Sequence, residues 1–387
     1  MSVAGSQQRT FLELLAHLRP HWRRDAALPA RLQTLLARRR EFGSRDRRLY
    51  RELLYTTLRH LPWIEPLLDA QPDEATRRVA WLAADTPATQ PFRTAFATGE
   101  PPAGDKAELL PAWFRGHCPE IFAGAELEAQ LRRAPLWLRL QTAEPQAVFD
   151  EFSARGWRWR RSDILPTAIE LLDEADVTQT DAWRDGRIEV QDLGSQLLLE
   201  TIGIEPGSRW LDACAGAGGK SLQFARLLGP AGHVTAHDVR PAALAELQTR
   251  ATRARLGNIA LAAAPAGEFD GVLVDAPCSG SGTWRRAPHL KWTTTEATIA
   301  QAATLQRTLL HEFSARVRRG GRLVYATCSL SRQENEDVVA SFLAEHPDFR
   351  PTPFAATFGA TPRGPGLLFL PALHNTDGFF VASLQRS

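Results

Sequence analysis

The sequence predicts an α/β protein: a doubly wound, mainly parallel sheet in the C-terminal half, behind a helical and basic N-terminal segment. Three observations carry this expectation. From about residue 188 short apolar runs alternate with stretches of helical apolar spacing. A Gly-rich stretch, LDACAGAGGKS at residues 211–221, joins the first such run to the first such helix. Residues 1–60 hold 13 Arg against 5 Asp plus Glu, net +8; the remainder holds 33 basic and 39 acidic residues, net −6, for an overall charge of +2.

The elements follow in order. FLELLAHL, LQTLLARRREF and RRLYRELLYTTLRHL place apolar residues at helical spacing with Arg between them. Solvated helix faces account for single arginines, but the size of the excess favours a polyanion such as nucleic acid. The block ends near residue 100 in TGEPPAGDK, a Pro/Gly loop, which delimits a helical domain over residues 1–105. Residues 106–187 read as a small mixed α/β region with short strands such as WLRLQ. Its GWRWRR, residues 156–161, suits base stacking with phosphate contact, and equally an edge strand with one packed Trp face and one wet Arg face.

In the third region, residues 188–387, strands are expected at SRWLDAC, HVTAHD, NIALA, FDGVLVDA, RLVYAT and FFVASL. Helices are expected at GKSLQFARLLG, RPAALAELQTRATRARLG, Thr294 to about Arg318, and on to about Ala344. At 387 residues and 44% apolar content the chain can bury real cores. It has no apolar run near the ~18 residues of a membrane span and no signal-peptide pattern, so a cytoplasmic protein is expected. Cys118, Cys214, Cys278 and Cys328 form no C-x-x-C pair, so neither a metal site nor a disulfide framework is expected.

Within LDACAGAGGKS, Gly216, Gly218 and Gly219 allow positive φ and close backbone approach at a helix N-terminus. GGKS invites a P-loop reading, but that pattern needs Gly at 214, which is Cys214; a dinucleotide fingerprint needs Gly or Ala at 221, which is Ser221. Asp238, at the end of the second strand, is placed to accept the ribose hydroxyls of an adenosine cofactor, S-adenosylmethionine included.

VDAPCSGSGTWRRAPHLKW, residues 274–292, puts Asp275 and Cys278 just past one strand end. YATCSLSRQENED, residues 325–337, puts Cys328 past the next, before a helix with an expected Ser331/Glu334 capping box and with Glu336 and Asp337 in its first turn. A right-handed crossover makes such strands neighbours, so both thiols should face one crevice. The chemistry that needs a thiol beside a methyl donor is methylation of pyrimidine C5: a thiolate adds to C6 and makes C5 nucleophilic. The positive end of the helix should favour the Cys328 thiolate, and Asp275 can bind the exocyclic amine or N3 edge. Placement alone leaves open which thiol attacks.

The motifs D-A-P-C-S-G-S-G-T-W-R-R with K-W downstream and Y-A-T-C-S-L-S-R-Q-E-N-E, with VQDLGSQLLLE (190–200) and TDGFFVASLQR, resemble the RNA cytosine-5 methyltransferases of the Sun (Fmu, RsmB-type) family. The likeness covers about residues 110–387, and FGSRDRRLYRELLYTTLRH (42–60) is similar to part of a NusB-like helical domain. The resemblance implies a Rossmann-like S-adenosylmethionine-dependent methyltransferase domain, a NusB-like N-terminal domain and an RNA-binding region between them. It implies Cys328 as nucleophile, Cys278 as the residue assisting product release, Asp275 at the cytosine and Lys220 beside the target base. Asp212, Cys214, Ala215, Gly216, Ala217, Gly218, Gly219, Lys220, Asp238 and Asp275 would hold the cofactor. DNA cytosine methyltransferases would instead make Cys278 the nucleophile.

The implied substrate is small-subunit rRNA, with tRNA as the second substrate and a non-catalytic RNA-binding assembly factor as a reading of another class; neither DNA nor membrane is expected as a partner, and a monomer is. The chain departs from the family pattern in four places. Ala217 replaces the usual Pro, and NIALAAAPAGEF lacks the acid expected near the third strand. His289 stands where Asp is usual, and the N-terminal block is short.

Overall fold

The computed structural model describes residues 2–387. Contacts divide the chain into two compact units: Met1–Arg133 with Thr283–Thr295, and Ala134–Gly282 with Glu296–Ser387.

The first unit is helical. Ser2 caps the helix Val3–Leu18 by accepting from Gly5 N, and Asp46 accepts from Gly43 N at the start of Ser44–Arg59. The apolar stripes seen in sequence close on one core: Phe11, Leu14, Leu15 and Leu18 meet Leu32, Leu36, Leu49 and Leu53. The segment 283–295 belongs to this unit although it lies between two parts of the other. Its Trp284 is fully buried 4.6 Å from Phe114, and Lys291 donates to the carbonyls of Arg59 (2.8 Å) and Leu109 (3.1 Å). His289, the departure noted above, is buried with its ring nitrogen 3.2 Å from the Ala26 carbonyl.

The second unit opens with a four-stranded antiparallel sheet of β1 (Leu136–Leu140), β2 (Trp159–Arg161), β3 (Ala168–Leu171) and β4 (Ile188–Val190), in the order β2-β3-β1-β4. GWRWRR lies at its edge. Trp159 stacks on Phe149 at 4.4 Å, while Arg158 and Arg160 pair with Asp173 (2.7 Å) and Glu170 (2.5 Å). The motif thus has the packed Trp and outward Arg of an edge strand, with Arg158 and Arg160 largely exposed.

The large sheet contains β5 (Arg209–Asp212), β6 (His233–Ala236), β7 (Ile259–Leu261), β8 (Phe269–Asp275) and β9 (Val317–Thr327), all parallel, and an antiparallel extension. That extension is β10 (Phe349–Pro351), β11 (Thr361–Arg363), β12 (Gly366–Phe369) and β13 (Phe379–Arg386). The order is β11-β12-β13-β9-β8-β5-β6-β7, with β10 also on β13. The doubly wound sheet expected from sequence is present. The chain runs outward from β5 to β7 and returns beside β5 as β8, so the switch point, where such sheets bind ligands, lies between Asp212 and Asp275. The expected adjacency of the two cysteine-bearing strands also holds, with Asp275 opposite Ala326 in the β8–β9 register.

One local expectation fails. Residues 332–334 form a short 3₁₀ turn, Ser331 makes no side-chain cap, and the helix begins only at Glu336. The Glu334 carboxylate accepts instead from Ser279, Gln306 and Ser329, so no capping box forms, and residues 329–335 separate Cys328 from the helix N-terminus.

Candidate active site

The Gly-rich turn after β5 is shaped by Gly216 (φ 54°) and Gly218 (φ 87°). A Cβ on Gly218 would stand 2.4 Å from Leu247 Cγ, so the turn packs directly onto the helix Pro241–Arg253; one on Gly219 would meet open space. Asp238 lies beyond β6 as expected, but its carboxylate is already engaged. It accepts from Gly216 N (2.9 Å) and from Arg240 N (2.9 Å), Nε (2.9 Å) and Nη2 (3.0 Å). The Arg240 side chain holds Asp238 down at about 2. A ribose diol there would share or displace Arg240.

Ala217 leaves the turn without a ring to stiffen it, and two guanidinium groups hold it from behind. Arg250 Nη1 donates to the Ala217 carbonyl at 2.7 Å, and Arg139 Nη1 to that of Gly219 at 2.8 Å. Glu189, fully buried, accepts from Arg250 (2.8 Å) and from Arg253. Burial pulls Arg139 down to about 9, with the Glu189 charge opposing. Sequence reasoning passed over Arg139, Glu189, Arg250 and Arg240; only Arg240, two residues from Asp238, left a local signal.

At the floor of the crevice Asp212 is 1% exposed and accepts from Ser221 Oγ at 2.6 Å, while its Oδ1 has no partner. Burial pushes it up to about 7. Burial likewise raises the neighbouring Cys214 thiol, with Asp212 adding to the effect. Lys220 Nζ lies 2.7 Å from Asp275 Oδ2 and 5.5 Å from the Phe379 ring. Burial opposes its charge, but the Asp275 carboxylate outweighs that and raises the ammonium above its ordinary value.

Beside this pair, Cys278 Sγ and Cys328 Sγ are 3.3 Å apart, both partly exposed free thiols. Their loops are tied by Gly282 N donating to the Cys328 carbonyl at 2.9 Å; a Cβ on Gly282 would stand 2.2 Å from the Gly378 carbonyl oxygen, so only glycine fits. The hydrogen bond to Cys328, then burial, push the Cys278 thiol well above its usual range. The structure thus gathers Lys220, Asp275, Cys278 and Cys328 into one crevice, with Asp212 beneath and the Gly-rich turn alongside.

The residues fit an adenosyl cofactor. Gly219 leaves an open backbone approach, and Asp212 presents an unpartnered buried oxygen at the switch point. The family model described as 16S rRNA methyltransferase RsmB/F matches residues 200–385. The probable ribosomal RNA small subunit methyltransferase B of Bacillus subtilis (strain 168) is 34% identical over 265 residues, 63% of this chain and 58% of that protein. The ribosomal RNA small subunit methyltransferase B of Citrobacter koseri is 32% identical over 291 residues, 72% of this chain and 67% of that one. The chain thus spans little more than half to about two thirds of these relatives' own lengths. The solved structure of PH0851 covers 100% of both chains with a TM-score of 0.76 at 23% identity, a likeness of fold. Crevice, sheet order and sequence likeness converge: the chain belongs to the RsmB/F methyltransferase family, whose cofactor is S-adenosylmethionine.

Proposed function

We propose that the protein methylates carbon 5 of a cytosine in small-subunit ribosomal RNA through a covalent adduct with Cys328. The observation that carries this reading is the pair of thiols 3.3 Å apart at adjacent parallel strand ends, beside the Lys220–Asp275 pair. Cytosine C5 is a weak nucleophile. Addition of the Cys328 thiolate to C6, with N3 taking up a proton, turns the ring into a neutral enamine and splits one hard step into two. S-adenosylmethionine supplies an electrophilic methyl group to that carbon. Asp275 accepts from the exocyclic amine and Lys220 lies along the base edge.

The coupling between the sulfurs supports distinct roles. Cys278 holds its proton chiefly because of its hydrogen bond to Cys328 and its burial, with the Cys328 charge next. Once the Cys328 sulfur is bonded to C6 it is a neutral thioether, and two of those influences vanish. Cys278 then loses its proton to solvent more readily and, as a thiolate, takes the C5 proton; the Cys328–C6 bond breaks and the methylated base leaves.

The test pairs two variants on 16S rRNA and tRNA transcripts. Cys328→Ala should abolish turnover and form no adduct, whereas Cys278→Ala should accumulate a protein–RNA adduct stable to denaturing electrophoresis. The opposite pattern makes Cys278 the nucleophile. Methylation of tRNA alone moves the substrate, and no transfer to either RNA by the wild type favours the assembly-factor reading.

A further inference from the structure

Glu334 is fully buried, yet its side chain makes no ion pair with a cation among the described residues. Its Oε1 accepts from Ser279 N at 2.7 Å and from Gln306 Nε2 at 3.1 Å; its Oε2 accepts from Ser279 Oγ at 2.5 Å and Ser329 Oγ at 2.6 Å. Ser279 follows Cys278 and Ser329 follows Cys328. One carboxylate therefore grips the residue next to each thiol. The network continues through Ser281 Oγ, 2.9 Å from Ser329 Oγ and accepting from Leu330 N at 2.9 Å. On the far side, the Tyr325 hydroxyl donates to the Glu334 carbonyl at 2.6 Å.

We infer that Glu334 is a positioning residue: its buried carboxylate locks the Cys278 loop to the Cys328 loop and keeps negative charge off Cys278. A buried anion whose direct partners are neutral donors disfavours a second negative charge nearby, and Cys278 is the thiol on which the Glu334 charge acts. Cys278 also faces Cys328, and Tyr325 and Asp275 lie in the same electrostatic neighbourhood, with Lys220 the cation that acts on Cys328. Glu334 thereby adds to what keeps Cys278 protonated. The inference rests on the proposed two-thiol reaction for its purpose, but its test needs neither RNA nor cofactor.

The experiment is iodoacetamide labelling of the full chain at neutral pH, with each cysteine peptide followed by mass spectrometry. In the wild type Cys328 should label faster than Cys278. In Glu334→Gln, which keeps the size but removes the charge, the rate ratio should fall at least fivefold through faster labelling of Cys278. A folded Glu334→Gln with an unchanged ratio overturns the inference whatever its activity. If that variant fails to fold, Ser329→Ala decides, because it removes the Glu334 grip on the Cys328 loop together with the Ser329 links to Ser281 Oγ and Ser331 N: a ratio lowered about threefold supports the clamp and an unchanged one refutes it. A shifted ratio in a protein that forms no RNA adduct would leave the clamp standing and remove the proposed reaction instead.

Discussion

Asp212 should make the protein less stable as pH rises, and Asp212→Asn should abolish that dependence. Its carboxyl is 1% exposed, receives one short bond from Ser221 and is pushed up to about 7 by burial. In the unfolded chain it titrates near 3.8. A folded-state value above the unfolded one means that the folded protein holds the proton more tightly. The associated stability is complete below about 4 and is lost as pH climbs through about 7. The gap of roughly 3 units corresponds to on the order of 4 kcal/mol between acidic and alkaline conditions. Asn keeps an acceptor for Ser221 but places an amide where Oδ1 has no partner, a pH-independent penalty of about 1–3 kcal/mol. The variant should therefore match or exceed the wild type at pH 8 and lose that lead progressively toward pH 5. From pH 5 to 8 about two of those units are traversed, or on the order of 2.7 kcal/mol, so in melting temperature the difference between the two should move by roughly 5–11 °C, at about 2–4 °C per kcal/mol. Thermal unfolding of both full chains from pH 5 to 8 measures it. A difference that stays constant across the range would mean that Asp212 ionises like an ordinary carboxylate and that its burial costs little.

Three further outcomes are expected. Asp238→Ala removes a carboxylate that bonds Gly216 N and Arg240, and calorimetry should find S-adenosylmethionine bound at least tenfold more weakly, from roughly 1.5–3 kcal/mol per charged hydrogen bond. Arg250→Met releases the Ala217 carbonyl while Arg253 still covers Glu189, so cofactor affinity should drop about three- to tenfold with turnover at saturating cofactor within about twofold of wild type. Arg38 and Arg40 are exposed near the C-terminal end of the helix Leu28–Arg38, whereas Arg39 pairs with Glu13 at 3.2 Å. If both exposed groups contact RNA phosphates, replacing them by Gln should lower the slope of log affinity against log salt by about 1.4, and an unaltered slope leaves them as solvated surface.

How far the sequence was readable depended on the range of the interactions involved. Strand and helix order followed from local periodicity, and the meeting of Cys278 with Cys328 followed from the handedness of one crossover. The short strands β10, β11 and β12 have too few residues for a periodic signal and went unseen. Glu334 was misread for a sharper reason. Ser-x-x-Glu before an apolar run is a sound capping pattern, but the donors that win the carboxylate include Ser279, 55 residues earlier, and no local window contains them. Arg139 reaches Gly219 across 80 residues and in sequence is one arginine on a short strand. Asp275 was placed by its strand end and Lys220 only by the family resemblance, and their direct pairing required the register of β5 against β8.

The segment Thr283–Thr295 bears on whether this protein is modular. It is bounded on both sides by residues of the sheet-bearing unit, yet Trp284 is fully buried beside Phe114, and Lys291 is buried with its ammonium on the carbonyls of Arg59 and Leu109. A cut between Arg133 and Ala134 would therefore not free one domain from another. It would remove most of the helical core and leave thirteen residues of it behind. Among them would be a large aromatic side chain without its pocket and an ammonium without its two carbonyl acceptors. Gain or loss of the N-terminal region in evolution, or its exchange between proteins in the laboratory, must then involve two sites in the chain at once: recombination at a single linker would join halves that do not complete each other.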